Sequence, residues 1–123
     1  MIPVKLLFSY FKKKDINFFA GVPDSILKDT NDILKKFSKD KHIVTHNEGG
    51  AIALGAGYYL KNKKIPCIYL QNSGLGNIVN PIMSMAHKKV YSVPMLLLIG
   101  WRGASNQKDE PQHIQQGKIT EKM

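Results

Sequence analysis

The chain has 123 residues, 43% hydrophobic and 22% charged, with a formal net charge of +9, which suits one domain around one core and leaves little room for a second. Its longest apolar run, 93–99, is broken by Pro94 and is far shorter than the ~20 residues that span a bilayer; the N-terminus lacks the basic and apolar stretches of a secretion signal. The single Cys67 excludes an internal disulfide, and inside an apolar run it reads as a buried, inert thiol in a reducing cytoplasm.

In chain order, Pro3 can open a helix to about Lys13, with Leu6, Leu7, Tyr10 and Phe11 on one side. Residues 16–22 form a largely apolar run, rich in aromatic and β-branched types, that ends in Gly-Val-Pro and predicts a strand. Asp24 or Ser25 can cap a helix through Phe37. A second strand is expected over 42–46, a helix rich in small residues over 48–61, and a third strand over 65–71. A Gly-rich loop, a helix from Asn77 or Asn80 to Lys89, a fourth strand over 95–101 and a polar loop to about His113 complete the reading. Apolar strands alternating with helices predict an α/β fold, a parallel sheet with helices on both faces. The loops that follow the strands would then gather at its carboxyl edge, where such sheets bind ligands.

Of the eighteen basic residues seventeen are Lys, in small groups such as 12–14, 35–36, 63–64 and 88–89. They fall at the ends or polar sides of the expected helices, where Lys complements the helix dipole. Base readout and bidentate phosphate grip favour Arg, so solvated helix faces are expected and a nucleic-acid partner is not.

Glu48 follows an apolar strand and precedes Gly49, Gly50, Ala51 and Ile52. In so dry a place a carboxylate could share its proton with a basic ring nitrogen; alternatively it is an acidic residue favoured by the helix dipole. On the same helix Gly50, Ala53, Leu54 and Gly57 form a stripe, with Gly55 and Ala56 beside it, which suggests tight packing at a subunit interface. Ser73-Gly-Leu-Gly-Asn77 could let a ligand approach the backbone. However, Val79 replaces the last Gly of the dinucleotide fingerprint and there is no Walker sequence, so neither NAD nor ATP is expected. Arg102, the one Arg, lies between two Gly and offers the planar fork that grips phosphonate, sulfonate or carboxylate. Asp109, Glu110 and His113 follow; a metal site built from them has little support, and His42, His46 and His87 have no metal-ligand spacing.

Together Gly21-Val-Pro-Asp-Ser25, His46-Asn-Glu-Gly-Gly-Ala51, Asn72-Ser-Gly-Leu-Gly-Asn77 and Gly100-Trp-Arg-Gly103 with Asp109-Glu-Pro-Gln-His113 resemble the thiamine-diphosphate-dependent 2-oxoacid decarboxylases of the phosphonopyruvate type, with sulfopyruvate decarboxylase alpha subunits as near relatives. The resemblance runs from about residue 3 to 119 and implies the pyrimidine-binding domain of that fold. It further implies that Glu48 hydrogen-bonds a pyrimidine nitrogen of thiamine diphosphate and so activates the cofactor, that Asp24 reaches the reacting centre, and that Ser73, Gly74 and Asn77 line the cofactor cleft. Arg102 and His113, with Asp24, would meet a small anionic 2-oxoacid.

Nothing in the sequence resembles the Gly-Asp-Gly segment that holds the diphosphate through Mg²⁺. The implied organisation is one pyrimidine-binding domain over 1–123, incomplete at its C-terminus. It would depend on a diphosphate-binding domain or subunit, work as a homo- or hetero-oligomer, and be inactive without that partner. A non-catalytic pairing module of the same fold is the competing reading.

Overall fold

The computed structural model describes residues 2–104 and 108–123. Four strands, β1 (Phe19–Gly21), β2 (His42–Val44), β3 (Cys67–Gln71) and β4 (Leu96–Gly100), form one sheet in the order β2-β1-β3-β4, parallel throughout. The helices are α1 (Val4–Lys13), α2 (Lys28–Leu34), α3 (Glu48–Asn62), α4 (Leu75–Pro81) and α5 (Pro111–Ile119). The expected parallel α/β architecture is therefore what the chain adopts.

Because side chains alternate across a strand, the apolar runs feed two cores. Phe18, Ala20, Ile68 and Leu70 meet Ala51 and Ile52 of α3 and Ile78 of α4 on one face. Phe19, Cys67 and Tyr69 meet Phe11 of α1 and Leu34 of α2 on the other. Burial pushes the Cys67 thiol up to about 12, so it is the inert, buried group the sequence suggested. All seventeen lysines are exposed, while Arg102 is half-buried, in keeping with solvated faces for the Lys groups.

Several boundaries differ from expectation. Asp24 does not cap α2: its carboxylate accepts from the Ile26 N–H at 3.2 Å, closing a turn, and the helix starts only at Lys28 without a side-chain cap. Asp and Asn compete with helix for such local bonds. The stretch from Asn72 is not an open loop either. A 3₁₀ turn over Asn72–Gly74 runs straight into α4, which ends in a π-helical turn, Ile82–Ala86, after Pro81. Pro81 lacks the N–H that an α-helix interior needs, and a π turn accommodates that loss.

The polar stretch ahead of His113 contains the start of α5, which the sequence reading missed. Pro111 sits at its first turn, where a missing N–H costs nothing. The helix interlocks with the segment after β4 through two glycines. Gly103, at φ +66, lies so close to the His113 carbonyl that a Cβ would overlap it, and Gly117 abuts the Gly103 carbonyl in the same way. Trp101 Nε1 donates to the Gly117 carbonyl at 3.3 Å.

Among the described residues β4 pairs with β3 alone, and Leu96 to Ile99 are only half-buried. Apolar grooves flank it: one of about 470 Å³ lined by Leu7, Leu27 and Leu98, the other of about 250 Å³ lined by Ile78, Ile82 and Leu97. No described helix is long and apolar enough to cross a membrane.

Candidate active site

From β1 the chain moves one way to β2 and then crosses back to β3, so the order reverses between β1 and β3. The carboxyl ends of strands at such a switch point leave a crevice where ligands of parallel sheets bind. The segments after β1, β2 and β3 carry Asp24, Glu48 and Ser73 to this edge.

At its floor Gly21 lies against Tyr69, whose backbone and ring leave no room for a Cβ. Tyr69 in turn bonds His42 Nε2 at 2.8 Å. Burial pushes the Tyr69 phenol up to about 12. Burial also lowers the His42 imidazole, the Leu34 backbone pulling the other way.

Glu48 is the first residue of α3, and Asn47 caps that helix by accepting from the Gly50 N–H at 2.7 Å. Its side chain is half-buried rather than dry. Oε2 accepts from Asn77 Nδ2 at 2.8 Å, and Oε1 lies over the Cα of Gly74, where a Cβ would overlap the carboxylate. Gly74 has helical dihedrals, φ −84 and ψ −3. Space, not backbone freedom, demands a glycine there. Of the residues picked from the sequence, Glu48 thus touches two others, Gly74 and Asn77.

Asp24, only 7% exposed, lies so close over Gly100 at the end of β4 that a Cβ there would overlap its Oδ2. Its Oδ1 accepts from Gln71 Nε2 at 2.6 Å, and Gln71 Oε1 accepts the Ser73 hydroxyl proton at 2.6 Å. Ser73 belongs to this second network and not to that of Glu48. Sequence reasoning did not select Gln71; a polar residue closing a buried strand was the available signal. It also passed over Asn72, 3% exposed, which bonds the Arg102 backbone and Thr120 Oγ1.

Arg102 is engaged within its own loop. Its Nε donates to Asp109 Oδ2 at 2.9 Å and its Nη2 to Asp109 Oδ1, a bidentate pair. Asp109 also accepts from the Gly103 N–H at 3.2 Å and the Glu110 N–H at 2.8 Å. The Arg102 guanidinium first, with these backbone donors, holds the Asp109 carboxyl well below the usual carboxylate range. His113 is half-buried on α5, its Nδ1 buried without a hydrogen-bond partner among the described residues. No group of three or more His, Cys, Asp or Glu among the described residues is placed to hold a metal ion; Asp109 is committed to Arg102.

The family described as thiamine pyrophosphate enzyme, N-terminal TPP binding domain, matches residues 4–122. A phosphonopyruvate decarboxylase of Streptomyces viridochromogenes is 38% identical over 101 residues, 82% of this chain and 25% of that protein; one from Streptomyces hygroscopicus is 37% identical over 101 residues, 82% and 24%. The alpha subunit of sulfopyruvate decarboxylase from Methanocaldococcus jannaschii is 35% identical over 120 residues, 95% of this chain and 67% of that subunit. The match thus spans about a quarter of the phosphonopyruvate decarboxylases and two thirds of the alpha subunit. A match over nearly every residue, on a parallel sheet whose carboxyl edge carries the expected loops, places the chain in the family of N-terminal thiamine-pyrophosphate-binding domains of thiamine pyrophosphate enzymes.

Proposed function

We propose that the chain supplies the cofactor-activating half of a decarboxylase that converts phosphonopyruvate to phosphonoacetaldehyde and carbon dioxide with thiamine diphosphate. Sulfopyruvate is the second candidate substrate, because the alpha subunits match nearly the whole chain. The observation that carries the reading is the carboxylate of Glu48, fixed at the start of α3 by Asn77 and seated over Gly74.

Those residues fit the cofactor's pyrimidine. One carboxylate oxygen is anchored by an amide N–H, and the other lies over a glycine, where nothing but main chain competes with a flat ring. When bound, the cofactor would supply the electron sink for the bonding pair left behind as carbon dioxide departs. Glu48 holds the proton shared with the ring nitrogen. Asp24, buried beside Gly100, works at the reacting centre, and Ser73 lines the cleft. Arg102 meets the substrate's anionic end while still tied to Asp109, through the terminal nitrogen outside that pair, and His113 on α5 serves the same end.

Diphosphate and Mg²⁺ would be held by a separate domain or subunit. The share of each relative that this chain matches supports that division. The exposed side of α3, α4 and the π-helical turn after it, with Ala53, Leu54, Gly57, Val79 and Met83, is the surface for this partner in an oligomer. At Gly55 the small residue has another cause, since a Cβ would press within 2.8 Å of Ile68 Cδ1 in the core.

The test is calorimetry and turnover with and without a diphosphate-binding partner. The chain alone should bind thiamine diphosphate and Mg²⁺ weakly, and adding the partner should give tight binding and release of carbon dioxide from phosphonopyruvate. Glu48→Gln keeps the shape but not the proton, and should lower turnover by roughly 10²–10⁴-fold. Tight binding by the chain alone, or full turnover by the variant, refutes the assignment.

A further inference from the structure

Gln71 closes β3 at the switch point and touches polar groups from two segments. Its amide nitrogen donates to Asp24 Oδ1 and its amide oxygen accepts from Ser73 Oγ, each at 2.6 Å. The direction of the amide follows from chemistry. The NH₂ end faces the carboxyl oxygen of Asp24 and the carbonyl end is left to accept from the serine hydroxyl. The remaining hydrogen bonds of Asp24 come from the segment that follows it: Oδ2 accepts from the Ile26 N–H at 3.2 Å, and the main-chain oxygen accepts from Asn31 Nδ2 at 2.9 Å. Below it, Gly100 leaves no room for a side chain. Among the described side-chain hydrogen bonds, Gln71 is what ties Asp24 to the opposite wall of the crevice.

We infer that Gln71 is a positioning residue, which fixes the Asp24 carboxylate in one orientation and couples it to Ser73 across the β1–β3 switch point. The inference rests on Asp24 working at the reacting centre and adds the group that aims it. A residue that only joined two strands would affect stability and leave the chemical step alone. A positioning residue affects the step with little change in substrate binding.

The experiment uses the full chain in two arms. In the first, NMR of the chain alone follows the Gln71 side-chain amide. Its signals should be displaced from those of a free glutamine and should move in Asp24→Asn. In the second, the chain with its diphosphate-binding partner is assayed as wild type, Gln71→Met, Gln71→Glu and Glu48→Gln. Gln71→Met removes both bonds and should lower kcat roughly tenfold or more with KM held within about twofold. Gln71→Glu keeps the length and the Ser73 acceptor but turns a carboxylate toward Asp24, and should be at least as slow. Free-like amide signals overturn the inference, as does wild-type turnover by Gln71→Met when Glu48→Gln is inactive. A wild-type chain that fails to turn over with its partner overturns the proposed activity and the positioning role with it. Displaced amide signals in that case would mark Gln71 as a purely structural tie.

Discussion

Asn72 and Arg102 are joined twice, the Asn72 amide nitrogen donating to the Arg102 carbonyl and the Arg102 N–H to the Asn72 amide oxygen, both at 3.0 Å. The amide thus occupies the place a neighbouring strand would take and extends the β3–β4 pairing by one step beyond Gly100. A further bond to Thr120 Oγ1 at 2.8 Å brings the segment after α5 onto the same side chain.

Asn72→Ala should therefore leave the Arg102 N–H and C=O without partners and lower stability by about 1–3 kcal/mol in urea unfolding. Asn72→Asp keeps the acceptor for the Arg102 N–H but faces two oxygens with a third, and should fall in the same range. Midpoints equal to wild type in both would mean that water replaces the amide at no cost.

Gly74→Ala separates site geometry from folding. The dihedrals at Gly74 are ordinary for alanine, but the new methyl would occupy the space of the Glu48 carboxylate. The melting temperature should change by a few degrees at most, while the Asn77 side-chain amide signal moves as its bond to Glu48 Oε2 breaks. Turnover with the partner domain should fall as it does for Glu48→Gln. An unmoved Asn77 signal would contradict the packing described.

The Arg102–Asp109 pair carries a pH signature. The folded-state carboxyl of Asp109 is depressed, so its contribution is complete above the ordinary carboxylate value of ~4 and is lost as pH falls toward the folded value. Asp109→Asn should lower stability at pH 7 and reduce the acid sensitivity of unfolding below about pH 4. Identical acid transitions for wild type and variant would show that the pair has no linkage to folding.

His42 gives the opposite end of the range. Its folded value is lowered by burial from 6.5, so the unfolded chain takes up a proton that the folded chain resists. Stability is then full above about pH 6.5 and decreases below it. Urea midpoints at pH 7.5 and 5.5 should differ in wild type and converge in His42→Gln. An equal pH dependence in the two would exclude His42 as its source.

The sheet was readable because the runs 18–22 and 65–70 are apolar without a break, as burial on both faces requires. Glu48, Gly74 and Asn77 were readable as parts of one site because their segments follow the strands on either side of β1 and the linked motifs resemble one family. The extent of α2 was not, since Asp24 can cap a helix or close a turn and only its bond to the Ile26 N–H decides. Nor was α5: its glycines at 103 and 117 interlock two segments whose closeness is a tertiary fact. Nor was the pairing of Arg102 with Asp109, seven residues on, which takes Nε and one terminal nitrogen of the fork.

The half-covered β4 gives the sheet a gradient of solvent protection. The Leu96 N–H bonds the Pro66 carbonyl, on the β3 side, and alternation along the strand turns the amides of Leu97 and Ile99 outward. Ala20 and Ile68, by contrast, lie fully buried on the two central strands. Deuterium would enter at Leu97 and Ile99 through small local openings, and at Ala20 and Ile68 only when the whole domain unfolds. The same asymmetry makes β4 the element whose exchange would slow most when an apolar surface settles along its outer edge, so labelling of Leu97 and Ile99 reports such docking without any assay of turnover.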